Sequence, residues 1–198
     1  MSKIQFIEES HTYILDGVIL PSVSQIIADD TYLSIPPHIL ENAAKRGTAV
    51  HLASEMIDLG KKPRLDSSFA EWVCQFLLYK KEMNEHIFDE IENIVYNDEF
   101  AGTLDRFGWV NGNATLIDVK TTSKLYKEKI ALQLGGYAIL HSHLNFDKLG
   151  WKAEDYKGGV IWLTKNSWKY VEIEPNVDGF LQKLAEYKSK EVASETNW

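Results

Sequence analysis

Gly102-Thr103-Leu104-Asp105, continuing to Val110, then Asn111-Gly112-Asn113, then Ala114 to Ile117-Asp118-Val119-Lys120-Thr121-Thr122, is the stretch that decides the fold. Asn-Gly between two runs rich in β-branched and aromatic residues is the signature of a two-residue hairpin turn. The reading predicts one strand over 103–110 and its return over 114–121. If Asn111-Gly112 forms the turn, paired residue numbers sum to 223 and Asp105 lies opposite Asp118. Directly opposed residues bring their Cβ atoms to roughly 4.5–5.5 Å. Two carboxylates at that spacing repel, and a divalent cation between them removes the defect, because hard cations take carboxylate oxygens. A turn shifted by one residue puts Asp105 opposite Lys120 instead, and a three-residue turn breaks the alignment. Strand alternation also projects Asp118 and Lys120 from one face and Val119 from the other. A lysine so placed can orient or help deprotonate an attacking water and offset charge developing on a phosphate.

Working outward, short strands are expected over 5–8, 12–15 and 18–20, the last two joined by Asp16-Gly17. Ser22-x-x-Gln25 reads as a capping box opening a short helix to about Ala28. A helix starts at Pro36-Pro37, Gly47 is expected to interrupt it, and helical spacing resumes over 48–59 with Gly60 as its stop. Asp66-Ser67-Ser68 should cap a helix containing Phe69, Val73, Phe76 and Leu77. A strand over 88–96 leads into the hairpin. A helix over 127–143, a hairpin over 159–173 turning at Asn166-Ser167, and an amphipathic helix over 180–190 complete the chain. The expected fold is therefore α/β, a central mixed β-sheet flanked by helices. It forms a single domain over 1–198, with N-terminal strands and a short helix over 1–35 and the core over 36–198.

Length and composition suit this. The 198 residues are 44% hydrophobic and 12% aromatic, too apolar for a disordered chain. No apolar run is long enough for a membrane span, and a cytoplasmic location is expected. One cysteine, Cys74, cannot build an iron–sulfur cluster. The net charge of −8 argues at first against a nucleic-acid partner. A whole-chain average conceals where the charges sit, and their distribution weakens that argument. Residues 82–105 hold eight acids and no base, whereas 43–81 hold seven bases against four acids and 106–170 ten against five. Basic segments thus flank an acidic one.

Four separate motifs now stand in order: Arg46-Gly47-Thr48-Ala49-Val50-His51, Gly102-Thr103-Leu104-Asp105, Ile117-Asp118-Val119-Lys120-Thr121-Thr122, and Gln133-x-x-x-Tyr137. Together they resemble the PD-(D/E)xK nuclease superfamily, and specifically its RecB-like, phage-type exonuclease branch. The stretch from Phe6 to Ile26, with His11-x-Tyr13 and Leu20-Pro21-Ser22-Val23, is similar to the N-terminus of phage-type members. The resemblance implies a restriction-endonuclease-like core and a Mg²⁺- or Mn²⁺-dependent DNA exonuclease, with one or two ions. It implies His51, Asp105, Asp118 and the Val119 carbonyl as metal ligands, and Lys120 as the catalytic lysine. Gln133 and Tyr137, one helical turn apart, would position DNA or the active site. Glu55 and Glu92 would be supporting groups around the ligands. Lys45, Arg46, Thr122, Lys124 and Lys127 would contact the DNA backbone, with Lys61, Lys62, Arg64 and Lys129 nearby. A phage or prophage recombination role, with a single-strand annealing protein as partner, follows from the resemblance alone. Two rivals stand beside it. A structure-specific endonuclease would need a recognition element that 198 residues hardly accommodate. An inactive DNA- or protein-binding subunit would have no use for an intact His51, Asp105, Asp118 and Lys120.

Overall fold

A computed structural model describes residues 3–29, 35–63 and 67–195. Strands β1 (Ile4–Ile7), β2 (Thr12–Leu15) and β3 (Val18–Leu20) form a small antiparallel sheet. The capping box opens α1 (Val23–Ile26) as read, with Ser22 Oγ accepting from the Gln25 amide and Gln25 Oε1 accepting from the Ser22 amide. Helix α2 (Pro37–Asp58) runs unbroken through Gly47, contrary to the expected interruption. A mid-helix glycine costs only about 1 kcal/mol relative to alanine, which a helix of 22 residues packed on a sheet absorbs. A 3₁₀ turn (Ser67–Phe69) leads into α3 (Ala70–Glu82), while Arg64 and Asp66 lie outside the described residues.

The main sheet has the order β4-β5-β6-β7-β8, from β4 (Ile87–Tyr96), β5 (Ala101–Val110), β6 (Asn113–Lys120), β7 (Lys157–Leu163) and β8 (Trp168–Glu172). Only β6 and β7 are parallel, so the sheet is mixed. Their crossover carries α4 (Lys127–Leu149), which ends at Gly150 in the left-handed conformation, six residues beyond the expected helix. Helix α5 (Val177–Glu195) closes the chain. Leu104, Phe107, Leu116 and Val160 pack with α1, α4 and α5 in one cluster, and Val110, Ile117, Val119 and Ile161 with α2 and α3 in another. The result is a mixed sheet flanked by helices on both faces, a restriction-endonuclease-like α/β core. No described helix is long and apolar enough to cross a membrane.

The hairpin register is the one the Asn-Gly turn predicts, with Val110 opposite Asn113 and Arg106 opposite Ile117. Positive φ at Asn111 (52°) and Gly112 (76°) identifies the turn. Between β4 and β5 the ladder pairs Ile91 with Arg106 and Asn93 with Leu104, and skips Glu92 and Asp105. Glu92 has φ 48°, a left-handed conformation that costs a non-glycine residue. Leu104 and Phe107 share one cluster although three residues apart, and Asn93 donates to Glu90 at 2.6 Å across the same spacing. In regular strands such residues point to opposite faces. Both strands therefore change face at one rung, the rung of Glu92 and Asp105.

Candidate metal centre

The site sits where β5 and β6 stop pairing. Beyond Arg106 and Ile117 no further rung forms, and the Asp105 carboxylate takes the place of a backbone acceptor: its Oδ2 accepts the Val119 amide at 2.7 Å. His51, on α2, reaches the same point. Its Nδ1 lies 3.4 Å from Glu92 Oε1 and 3.6 Å from Asp105 Oδ2, and its Nε2 is 2.9 Å from the Val119 carbonyl. One ligand atom each from His51, Glu92 and Asp105 falls within 4.8 Å of the others, a cluster able to hold a divalent cation. Burial alone would lower the His51 pKa, but Asp105 and Glu92 outweigh it and raise it to about 9. In the absence of metal the imidazolium supplies the positive charge that two opposed carboxylates require.

Asp118 is not one of the three. It is 1% exposed, and its Oδ1 accepts from Lys120 Nζ at 2.7 Å. Its Oδ2 is buried without a hydrogen-bond partner. Burial, with Asp105 adding repulsion against the attraction of Lys120, pushes its pKa up to about 6. This orphaned buried oxygen, repelled by Asp105, together with the cluster of His51, Glu92 and Asp105 fits a divalent ion in charge and donor type.

From the opposite helical layer, Gln133 Oε1 accepts from Lys120 Nζ at 3.3 Å, and Gln133 Nε2 donates to the Tyr137 hydroxyl at 3.3 Å. Desolvation, reinforced by Asp105, raises the Tyr137 pKa well above its ordinary value and keeps the phenol neutral. Gly102 is where Tyr137 rests: a Cβ there would lie 2.8 Å from Tyr137 Cε1. The N-terminal sheet joins in through Tyr13, whose hydroxyl is 2.8 Å from Thr103 Oγ1.

A cleft of about 340 Å³ opens beside Lys120 and Gln133, lined also by Thr122, Lys124, Tyr126 and Lys129. Thr122 Oγ1 donates to the Lys124 carbonyl, and Trp162 Nε1 to the Thr122 carbonyl at 2.7 Å, fixing the loop after β6. Lys124 lies over the Tyr126 ring, Lys129 pairs with Asp29, and Lys127 is exposed nearby. The basic residues of α2 sit elsewhere: Lys45 pairs with Glu41, and Arg46 lies over Trp72 of α3. Glu55 is half-buried one turn beyond His51 and outside the three-donor cluster.

Sequence reasoning makes Glu92 a supporting group, whereas its carboxylate lies within the cluster. It misses Arg106 altogether. That guanidinium is fully buried, with Nε donating to Asp58 Oδ2 at 2.7 Å and Nη1 to Glu92 Oε1 at 2.9 Å. The available signal was spacing: Asp58 follows His51 by seven residues on one helix, and Arg106 follows Asp105 directly.

Fold and site together define a mixed α/β sheet protein with a candidate divalent-metal centre of His, Glu and Asp at the sheet's fork. No family model and no curated protein matches the chain. Among solved structures it is similar to SSO0001, at 20% identity over 83% of this chain and 72% of that one, with a TM-score of 0.40. It is also similar to a phage related exonuclease from Haemophilus somnus 129PT, at 10% identity over 90% of this chain and 96% of that one, TM-score 0.35. At scores this low the functional reading rests on the site's own residues.

Proposed function

We propose that this chain is a divalent-metal-dependent deoxyribonuclease that degrades linear DNA from its ends. The observation that carries the reading is the meeting of His51, Glu92 and Asp105 at the fork beside the Asp118–Lys120 pair. In this reading His51, Asp105, Asp118 and the Val119 carbonyl hold Mg²⁺ or Mn²⁺, with Glu92 joining or supporting them. The bound ion would polarise the scissile phosphate and lower the pKa of a coordinated water. Lys120, aimed by Asp118 and Gln133, orients that water and balances the charge that grows on the phosphate. Gln133, bonded to the Tyr137 hydroxyl, holds the lysine's far side, and Lys124, Lys127 and Thr122 take up backbone phosphates along the cleft. Lys45 and Arg46 would meet the duplex farther out. A phage recombination role in a bacterial cytoplasm, with a single-strand annealing partner, belongs to the same proposal.

The test is end-labelled linear and covalently closed circular DNA, single- and double-stranded, incubated with Mg²⁺, Mn²⁺ or EDTA, beside the Lys120→Ala protein. Metal-dependent loss of linear DNA that fails in Lys120→Ala is the expected result. Cleavage in EDTA, or full activity in Lys120→Ala, overturns the mechanism, and cutting of closed circles would assign an endonuclease instead.

A further inference from the structure

Arg106 is the largest fully buried side chain among the described residues. A guanidinium removed from water is tolerated only when its donors are met and its charge is balanced. Here Nε donates to Asp58 Oδ2 (2.7 Å), Nη2 to Ser54 Oγ (3.0 Å), and Nη1 to both Glu92 Oε1 (2.9 Å) and the Asp105 carbonyl (2.6 Å). Asp58, Asp105 and Glu92 hold it charged against the opposing effect of burial. Lys80 Nζ of α3 lies 2.9 Å from Asp58 Oδ1, so the anchor is braced from behind.

The four contacts fall on three elements, and each element supplies one member of the metal cluster. Ser54 and Asp58 are on α2 with His51, Glu92 is on β4, and Asp105 is on β5. Ser54 links the two directly, since its hydroxyl donates to the His51 carbonyl at 2.9 Å while accepting from Arg106. Glu92 has no partner in the strand ladder to fix it, and Arg106 holds the same Oε1 that faces His51. Three donors on three separately packed elements drift apart unless something spans them. A planar fork that donates in several directions can do so, and a lysine ammonium on a flexible stem cannot do it equally.

We infer that Arg106, anchored by Asp58 and Ser54, is a positioning residue that sets the spacing of His51, Glu92 and Asp105 for the divalent cation. This rests on the metal-dependent reading above. Outer partners that orient ligands typically govern metal affinity by about 10- to 100-fold. Asp58 touches no member of the cluster, so an effect from that position distinguishes positioning from ligation.

Calorimetric titration of the metal-stripped full chain with Mn²⁺ alone, at a temperature where each variant is folded, tests it. Arg106→Lys should weaken Mn²⁺ binding about 10- to 100-fold. Asp58→Asn should weaken it in the same direction, and Ser54→Ala, which removes one hydroxyl and leaves the ion pairs intact, by less. Thermal unfolding of the same samples reports stability separately. A purely structural Arg106 would lower the melting temperature and leave the affinity of folded protein unchanged. Unchanged Mn²⁺ affinity in folded Arg106→Lys or Asp58→Asn overturns the inference alone. If neither variant folds, Ser54→Ala decides: weaker binding supports positioning, and unchanged binding overturns it. Failure of the unaltered chain to bind Mn²⁺ overturns the metal reading itself, and the inference with it.

Discussion

Gly102→Ala isolates the packing that sets Lys120. The added methyl would lie 2.8 Å from Tyr137 Cε1 and 3.3 Å from Val23 Cγ2, both in the core. Gly102 does not have a positive φ, so an alanine backbone fits and the cost is steric. Overpacking of one methyl costs about 1–3 kcal/mol, against about 0.4–1 kcal/mol gained by stiffening the unfolded chain. The net expectation is a loss of about 1–2 kcal/mol. For a chain of this length that lowers Tm by roughly 2–8 °C. Tyr137 is 4% exposed, so its ring cannot swing into solvent and must shift against its neighbours. Its hydroxyl holds Gln133, which holds Lys120, so the shift should reach the ammonium and slow metal-dependent cleavage by about tenfold. Stability is measured by urea unfolding in three backgrounds. With Tyr137 or Tyr137→Phe the ring remains and Gly102→Ala should cost its full amount. With Tyr137→Leu the clash is relieved and the cost should fall by at least about 0.5 kcal/mol. An equal cost in the Leu and Phe backgrounds, or none in any, would refute the reasoning.

Lys120→Ala should lower cleavage by about 10²- to 10⁴-fold while thermal unfolding stays cooperative, which single-turnover assays would read. Neutralising Lys124 and Lys127 to Gln should weaken DNA binding uniformly across sequences. It should also flatten the salt dependence by about 0.9 in log–log slope for each duplex phosphate no longer neutralised, as fluorescence anisotropy would show; an unchanged slope places them off the DNA. His86 is buried, its Nδ1 against the Tyr79 hydroxyl at 2.8 Å, and desolvation lowers its pKa. The unfolded chain therefore takes up this proton first. Stability from keeping His86 neutral is complete above its unfolded pKa of about 6.5 and is lost as pH falls through that range. His86→Phe should lose about 1 kcal/mol at pH 8 through the missing hydrogen bond, and show a flatter decline from pH 7 to 5. Parallel declines in the two proteins would contradict this.

Local chemistry made much of the molecule legible. Asn111-Gly112 set the hairpin register, Ser22 and Gln25 built the capping box they spell, and Gln133 and Tyr137 share a helix face. What stayed hidden depends on contacts between distant segments. Arg106 reads as one more base in a cationic segment, and only the packing of α2 on the sheet shows that its charge is spent on Asp58 and Glu92. Glu92 at positive φ has no sequence signal, because such a conformation usually selects glycine or asparagine. Gly47 misleads for the opposite reason, since tertiary packing of a long helix overrides a single weak propensity.

The rung where β4 and β5 exchange faces also bears on how the chain tolerates change in length. Side-chain parity on either side of Glu92 and Asp105 is opposite, so at that rung each strand joins two segments in antiphase. Removing one residue at that rung would restore regular alternation and leave every remaining side chain on its present face, whereas removing one within a flanking segment keeps the face change and turns the side chains beyond the cut inside out relative to both helical layers. After a cut of the second kind Val95 or Leu104 would leave the core, or Arg106 would lose its anchors. Deletion scanning of 90–94 and 103–107 should therefore spare the fold most at Glu92 and Asp105 themselves, and find its lowest yields of folded protein in the regular segments on either side.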